Sequence, residues 1–290
     1  MRLNPFNPGS IQVGRGGGSG FPGGGGGQLG CGAIVIALIG AVVFGIDPGQ
    51  MLGAMQGGGV QQQAGPGSTY GTGESAAEIC DDNAYATEAC NALQSLNETW
   101  QPLFAQAGMQ FQQPTLWFYQ GGTRSGCGAA SSDAGPFYCP ADQGIYIDTS
   151  FYDTMAQQMG AEGDFARYYV MAHEYGHHVQ TLTGISAAIR QAQQRAPQQA
   201  NQLQVLMELQ ADCYAGVWAG RNRNLIEPGD FEEGMTAASA VGDDTLMRNA
   251  GRQVNPESFT HGSSQQRMQA LRLGLESGDD TQCDRIVEAG

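Results

Sequence analysis

The sequence predicts an α+β fold, and three observations carry that expectation. Residues 114–148 have the texture of short strands punctuated by glycine, the segments on either side are spaced for helices, and the composition changes sharply near residue 74. Of the 45 glycines, 24 fall before Glu74 and 21 are left for the remaining 217 residues. A low-complexity leader therefore precedes one domain at 74–290, large enough to bury a sizeable core. Strands followed by a run of helices mean a sheet and helices that are segregated rather than alternating.

Residues 1–28 are mainly Gly, Pro, Asn and Ser and carry too little apolar surface to offset the entropy of ordering, so they read as a flexible tail. Residues 29–46, LGCGAIVIALIGAVVFGI, contain no charge and no amide. As a helix they would cover about 27 Å, enough to cross the hydrocarbon of a bilayer once. A cleaved signal peptide would show a short amino-terminal region and a small-residue cleavage site, and neither is present. Arg2 and Arg15 are the only charges before Asp47, which predicts a cytoplasmic tail and an exported domain joined by a single transmembrane helix. Residues 47–73 read as a flexible stalk.

From Glu74 to Ala107 helix formers dominate, with Leu93, Leu96, Trp100, Leu103 and Phe104 on one face and Pro102 expected to kink or end the helix. Strands follow at 115–119, 137–138 and 145–147, and are expected to form a small antiparallel sheet. After Phe151 nearly everything reads as helix. Asp164 is a candidate N-cap for a helix ending near Gly184, and a second helix covers about 201–220. Asp230 to Glu233 and Ser263 to Gln266 have the spacing of capping boxes.

The net charge is −15, and from Asp47 onward 28 acids face 11 arginines. Such a surface repels phosphate backbones, so nucleic acid is not an expected partner. Lysine is absent, which excludes Schiff-base and P-loop chemistry. Cys31 lies inside the apolar stretch, leaving Cys80, Cys90, Cys127, Cys139, Cys213 and Cys283 as an even set for an oxidising compartment. Cys127 and Cys139 flank a Gly-rich turn and are a plausible pair. Pairing Cys80 with Cys90 requires a helix break near Asp81, Asp82 and Asn83, because ten helical residues separate their backbones by about 15 Å.

Three of the four histidines fall in His173-Glu174-Tyr175-Gly176-His177-His178. On a helix His173 and His177 stand one turn apart on one face, so their ring nitrogens can converge on one Zn²⁺, with Glu174 beside them as a proton acceptor. The helix is expected to pack through Phe165, Tyr168, Ala172, Tyr175, Val179 and Leu182. His178, rotated about 100° from His177, is expected at solvent or capping a loop.

A catalytic zinc needs a third protein ligand. Between Val179 and Ile226 the acids are Glu208 and Asp212, four residues apart on a predicted helix. Two carboxylates so placed repel unless a cation faces them. Glu208 is therefore assigned as third ligand and Asp212 as the acceptor that orients His173. The metzincin pattern fails, since Gln180 and Thr183 occupy its later Gly and His positions. His261 either donates to an oxyanion or is a loop histidine beside the cap at Ser263.

The runs GCGAASSDAGPFYCPADQGIYIDTSFYD, YYVMAHEYGHHVQ, MELQADCYAGVWAG and SFTHGSSQQR resemble the bacterial neutral zinc metallopeptidase family over about residues 93–283. The resemblance implies a zincin-like fold, one Zn²⁺ per chain on His173, His177 and Glu208, and Glu174 as catalytic base. It also moves His261 towards the oxyanion role. The expected protein is thus a peptidase of the bacterial cell membrane, acting on peptides or proteins and contacting the lipid bilayer through residues 29–46. The competing expectation is a zinc-stabilised envelope binding protein, whose closed site would need His261 as a fourth ligand.

Overall fold

A computed structural model describes residues 1–16 and 73–288. It begins with a strand, β1 (Gln12–Arg15), followed by helices α1 (Ala76–Cys80) and α2 (Ala84–Gln106). Strands β2 (Thr115–Phe118), β3 (Gly122–Ser125), β4 (Gly128–Ser131), β5 (Phe137–Cys139) and β6 (Gly144–Ile147) come next. The rest is helical: α3 (Ser150–Met159), α4 (Asp164–Leu182), α5 (Ile185–Arg195), α6 (Ala200–Arg221), α7 (Asp230–Ala240), α8 (Asp243–Asn249), α9 (Ser264–Ser277) and α10 (Thr281–Glu288).

The α+β expectation with a small antiparallel sheet is corrected by this architecture: the chain is mostly helical and its main sheet is mixed. The strand order is β1-β2-β6-β5, with β1 and β6 both parallel to β2 and only β5 antiparallel, while β3 and β4 form a separate hairpin. Glycines announce where strands of three or four residues turn, but they say nothing about the direction in which distant strands meet. The sheet is tied by an aromatic row, with Tyr146 between Trp117 and Phe137 at ring separations of 6.2 and 4.8 Å.

The amino-terminal residues depart furthest from expectation. Instead of a free tail, residues 12–15 hydrogen-bond to β2 along the sheet edge, and the Met1 ammonium lies 2.7 Å from Asp230 and 3.1 Å from Asp164. Arg15 meets Glu74 at 3.1 Å and Asp82 at 3.4 Å, so the two described parts of the chain adjoin. Residues 12–15 thus belong to the same sheet as β2, β6 and β5. The expected transmembrane stretch at 29–46 lies outside the described residues. Among the described residues no helix is long and apolar enough to cross a membrane.

Capping follows the sequence in part. Ser263 and Gln266 form the expected box at the start of α9. Asp230 does not cap α7, which starts from Gly229, because its carboxylate is taken by the Met1 ammonium and the Glu227 N–H. Glu233 instead accepts the N–H of Phe165 at the start of α4. Pro102 lies inside α2 without ending it, one turn from the helix terminus.

Three disulfides join Cys80 to Cys90, Cys127 to Cys139 and Cys213 to Cys283. The first spans the break between α1 and α2 that its geometry required. The third ties α10 to α6 across 70 residues of sequence. Closing a loop of that length restricts the unfolded chain by about 4 kcal/mol in the chain-entropy account. The double variant Cys213→Ala/Cys283→Ala is expected to lose most of that in equilibrium urea unfolding. A loss below about 1 kcal/mol would show that the loop's constraint is unimportant.

Close helix approach sets the frame for the site. A Cβ on Gly176 of α4 would stand 2.9 Å from the Cα and carbonyl oxygen of Ala211 on α6, and one on Gly274 of α9 would stand 1.9 Å from the Cys213 carbonyl oxygen. Only glycine lets these backbones come so near. α6 is therefore gripped between α4 and α9, with Trp218 and Val217 fully buried beside the contact.

Candidate metal centre

α4 is buried on every side through its middle two turns, rather than along one stripe as expected. His173, Glu174 and His178 are buried with Tyr175 and Val179. A helix surrounded in this way carries its polar groups into the interior, where each must find a partner.

His173 Nδ1 lies 2.8 Å from Asp212 Oδ1. A carboxylate only accepts, so Nδ1 carries the hydrogen and Nε2 is left to face the opposite direction. His177 reaches the same state by another route. Gln180 Nε2 donates to the Met207 carbonyl at 2.8 Å and to Gln210 Oε1 at 2.9 Å, which turns Gln180 Oε1 towards His177 Nδ1 at 2.9 Å. Both Nε2 atoms then converge on one oxygen: Glu208 Oε2 is 3.2 Å from that of His173 and 3.6 Å from that of His177. The other Glu208 oxygen accepts from Gln204 Nε2 at 2.8 Å.

These separations test whether the residues fit a zinc ion. Ligand atoms at about 2.05 Å from a tetrahedral centre stand about 3.3 Å apart. Two edges of the trio lie close to that, and the three ligand atoms are all within 4.8 Å of one another. Two nitrogens and a carboxylate are also an ordinary donor set for zinc. The trio fits.

Electrostatics point the same way. Burial opposes charge on the imidazoles, but Asp212 and Glu208 outweigh it, holding His173 up to about 9 and raising His177. Burial works against ionisation of Glu208 as well, yet the facing histidines hold its carboxyl well below the usual range. Asp212 is likewise held down, to about 2, against burial and chiefly by Arg267. With protons on both Nε2 atoms the contacts to Glu208 are charge-assisted hydrogen bonds, and a divalent cation would replace those protons.

Asp212 is the hub. Arg267 grips it in a bidentate pair at 2.8 and 2.9 Å, and Tyr169 donates its hydroxyl to Oδ1 at 2.6 Å. Arg267 Nη2 also lies 3.2 Å from His173 Nδ1, but both are donors and the carboxylate oxygen between them takes both hydrogens. Glu174, beside His173 in the chain, has its pKa raised by burial, partly offset by His173 and His177.

His261 comes from the loop before α9, and Gly262 brings that loop against Val205 and Leu209 of α6, on either side of Glu208. Asp243 Oδ1 lies 3.0 Å from His261 Nδ1, while Oδ2 accepts the N–H groups of Thr260, His261 and Gly262. The residue is only 5% exposed, and its Nε2 is one of the few buried side-chain polar atoms among the described residues without a hydrogen-bond partner.

His178 is not a ligand and does not face solvent. Its Nε2–H donates to the Gln112 carbonyl at 2.6 Å and its Nδ1 accepts from the Tyr138 hydroxyl at 3.1 Å. Burial lowers it from 6.5 to about 4. Because the folded-state value is the lower one, the associated stability is complete above pH 6.5 and is lost as the pH falls towards 4, reaching about 3 kcal/mol. The His178 ring resonance is expected to stay neutral to below pH 5, and a midpoint near 6.5 would contradict its burial.

A second acidic trio, Asp164, Asp230 and Glu233, has metal-like spacing, but the Met1 ammonium already occupies two of its carboxylates, Asp164 and Asp230. Sequence reasoning missed Tyr169, Gln180, Gln204, Asp243 and Arg267. A partial signal existed: Gln180 stands three residues after His177 and Gln204 four before Glu208, spacings that share a helix face.

Comparison with known proteins agrees with the site's chemistry. Residues 8–286 match the family described as "Putative neutral zinc metallopeptidase". The Escherichia coli K12 protein YpfJ is 45% identical over 273 residues, covering 92% of this chain and 90% of its own. The Mycobacterium tuberculosis H37Rv protein Rv2575 is 37% identical over 265 residues, covering 86% of each. Both bear the name "Uncharacterized protein". No solved structure matches. With the family match running through nearly the whole chain, including every residue of the His173, His177 and Glu208 trio, the chain belongs to this neutral zinc metallopeptidase family.

Proposed function

We propose that the protein is a zinc-dependent peptidase in which His173, His177 and Glu208 hold the metal. The observation that carries the reading is the convergence of both imidazole Nε2 atoms on Glu208 Oε2, with each Nδ1–H already committed to Asp212 or Gln180. Zinc at that point would lower the pKa of a bound water and polarise a peptide carbonyl. Glu174 takes the proton of the attacking water on its carboxylate and returns it to the departing amine, and its raised pKa suits a group that must hold a proton between the two steps. His261, whose Nε2 has no hydrogen-bond partner among the described residues, is the candidate donor to the oxygen that gains charge when the carbonyl is attacked.

An extended substrate would pair along a sheet edge. β6 offers no such edge, because it lies between β2 and β5. The open edge next to α4 is β5, whose Tyr138 touches His178. Three disulfides support an oxidising compartment for the domain.

The test is zinc per purified full chain and cleavage of denatured casein before and after chelation. One zinc, with cleavage abolished by chelation and restored by the metal, is expected. Stoichiometric zinc without cleavage, in a sphere that includes His261, would favour a structural metal in a binding protein.

A further inference from the structure

Glu208 has two oxygens with different tasks. Oε2 faces the ligand histidines, and Oε1 accepts from Gln204 Nε2 at 2.8 Å. Gln204 is buried, sits one turn before Glu208 on α6, and has its own Oε1 3.4 Å from Gln193 Nε2 on α5. Gln193 Nε2 also donates to the Ala200 carbonyl at 3.1 Å. A carboxylate offers no hydrogen, so the Gln204 amide can only present its NH₂ to Glu208. The amide row from α5 therefore ends on one chosen oxygen of the ligand. A carboxylate can bind a metal through one oxygen or both, and two-oxygen binding adds a ligand atom where solvent or a substrate carbonyl must enter.

We propose that Gln204 is a positioning residue that holds Glu208 to one-oxygen coordination and so keeps the fourth place at the metal open. The residues at 204, 208 and 212 then form a single four-residue-spaced series on α6: the amide that fixes the ligand, the ligand, and the acid that orients His173. This rests on the zinc reading above, and cobalt separates the two. In the Co²⁺-loaded full chain, a four-coordinate ion gives an intense visible band and a five-coordinate ion a much weaker one. Gln204→Met removes the donor at similar volume, and Gln204→Leu does so with a shorter side chain and serves if the first variant does not fold. Either is expected to weaken the band and lower Zn²⁺ affinity by about tenfold, the usual cost of losing a group that supports a ligand. A variant that keeps the parent spectrum and binds Zn²⁺ within about twofold of the parent overturns the proposal. A parent chain that takes up neither metal stoichiometrically would instead sink the zinc reading itself.

Discussion

Glu174→Gln is expected to lower casein cleavage by about a thousandfold while zinc content stays at the parent level, since a positioned general base contributes about 10²–10⁴ in rate. The reasoning separates chemistry from folding. Glu174 is not among the three atoms that converge on the metal position, so the amide should leave the ligands in place. Its pKa is raised by burial, meaning that the fold disfavours its charge. A neutral amide of the same shape removes that penalty, and the variant should unfold at a temperature equal to or above that of the parent. Activity lost without stability lost is the signature of a residue kept for chemistry. Equal cleavage by parent and variant would eliminate Glu174 as the base.

The second large effect is expected at Arg267. Its guanidinium, Asp212, His173 and Tyr169 form one buried network, with Arg267 3% exposed and Asp212 fully buried. Arg267→Met keeps an unbranched chain of similar length but leaves the Asp212 carboxylate without its cation. Breaking a buried pair in this way costs about 3–5 kcal/mol, far more than a surface ion pair. Zinc affinity should fall about 10- to 100-fold, because Asp212 would no longer be held against His173 Nδ1. Arg267→Lys keeps the charge but cannot make the two-pronged contact, and should lie between parent and Met variant. Urea unfolding and competitive zinc titration read both quantities. The network account is falsified if Arg267→Met costs less than about 1 kcal/mol and binds zinc as the parent does. Combining it with Asp212→Asn should recover part of the loss, since the stranded charge is then gone.

Much of the site was legible because it is written in helical periodicity. His173 and His177 are one turn apart, as are Glu208 and Asp212, and that spacing fixes which side chains share a face before any tertiary contact exists. The assignment of Asp212 to His173 followed from the need of a ligand histidine for an acceptor. The break between Cys80 and Cys90 was likewise demanded by helix dimensions, and the structure has it.

What was missed depends on contacts between distant segments. Arg267 lies 55 residues after Asp212, and no local pattern announces their pairing. Gln180 and Gln204 are common surface residues by composition, and only burial turns them into fixed donors and acceptors. β1 is the plainest case: QVGR in a Gly-rich leader has no strand signature of its own, because its pairing with β2 is made by backbone groups that every residue carries. The sequence by itself determined the residue types of the candidate metal centre and the helices that present them, since both follow from spacing along one element. Only the tertiary structure decided sheet direction, the place of residues 1–16 and the buried network around Asp212, since these arise where separate elements meet and exclude water.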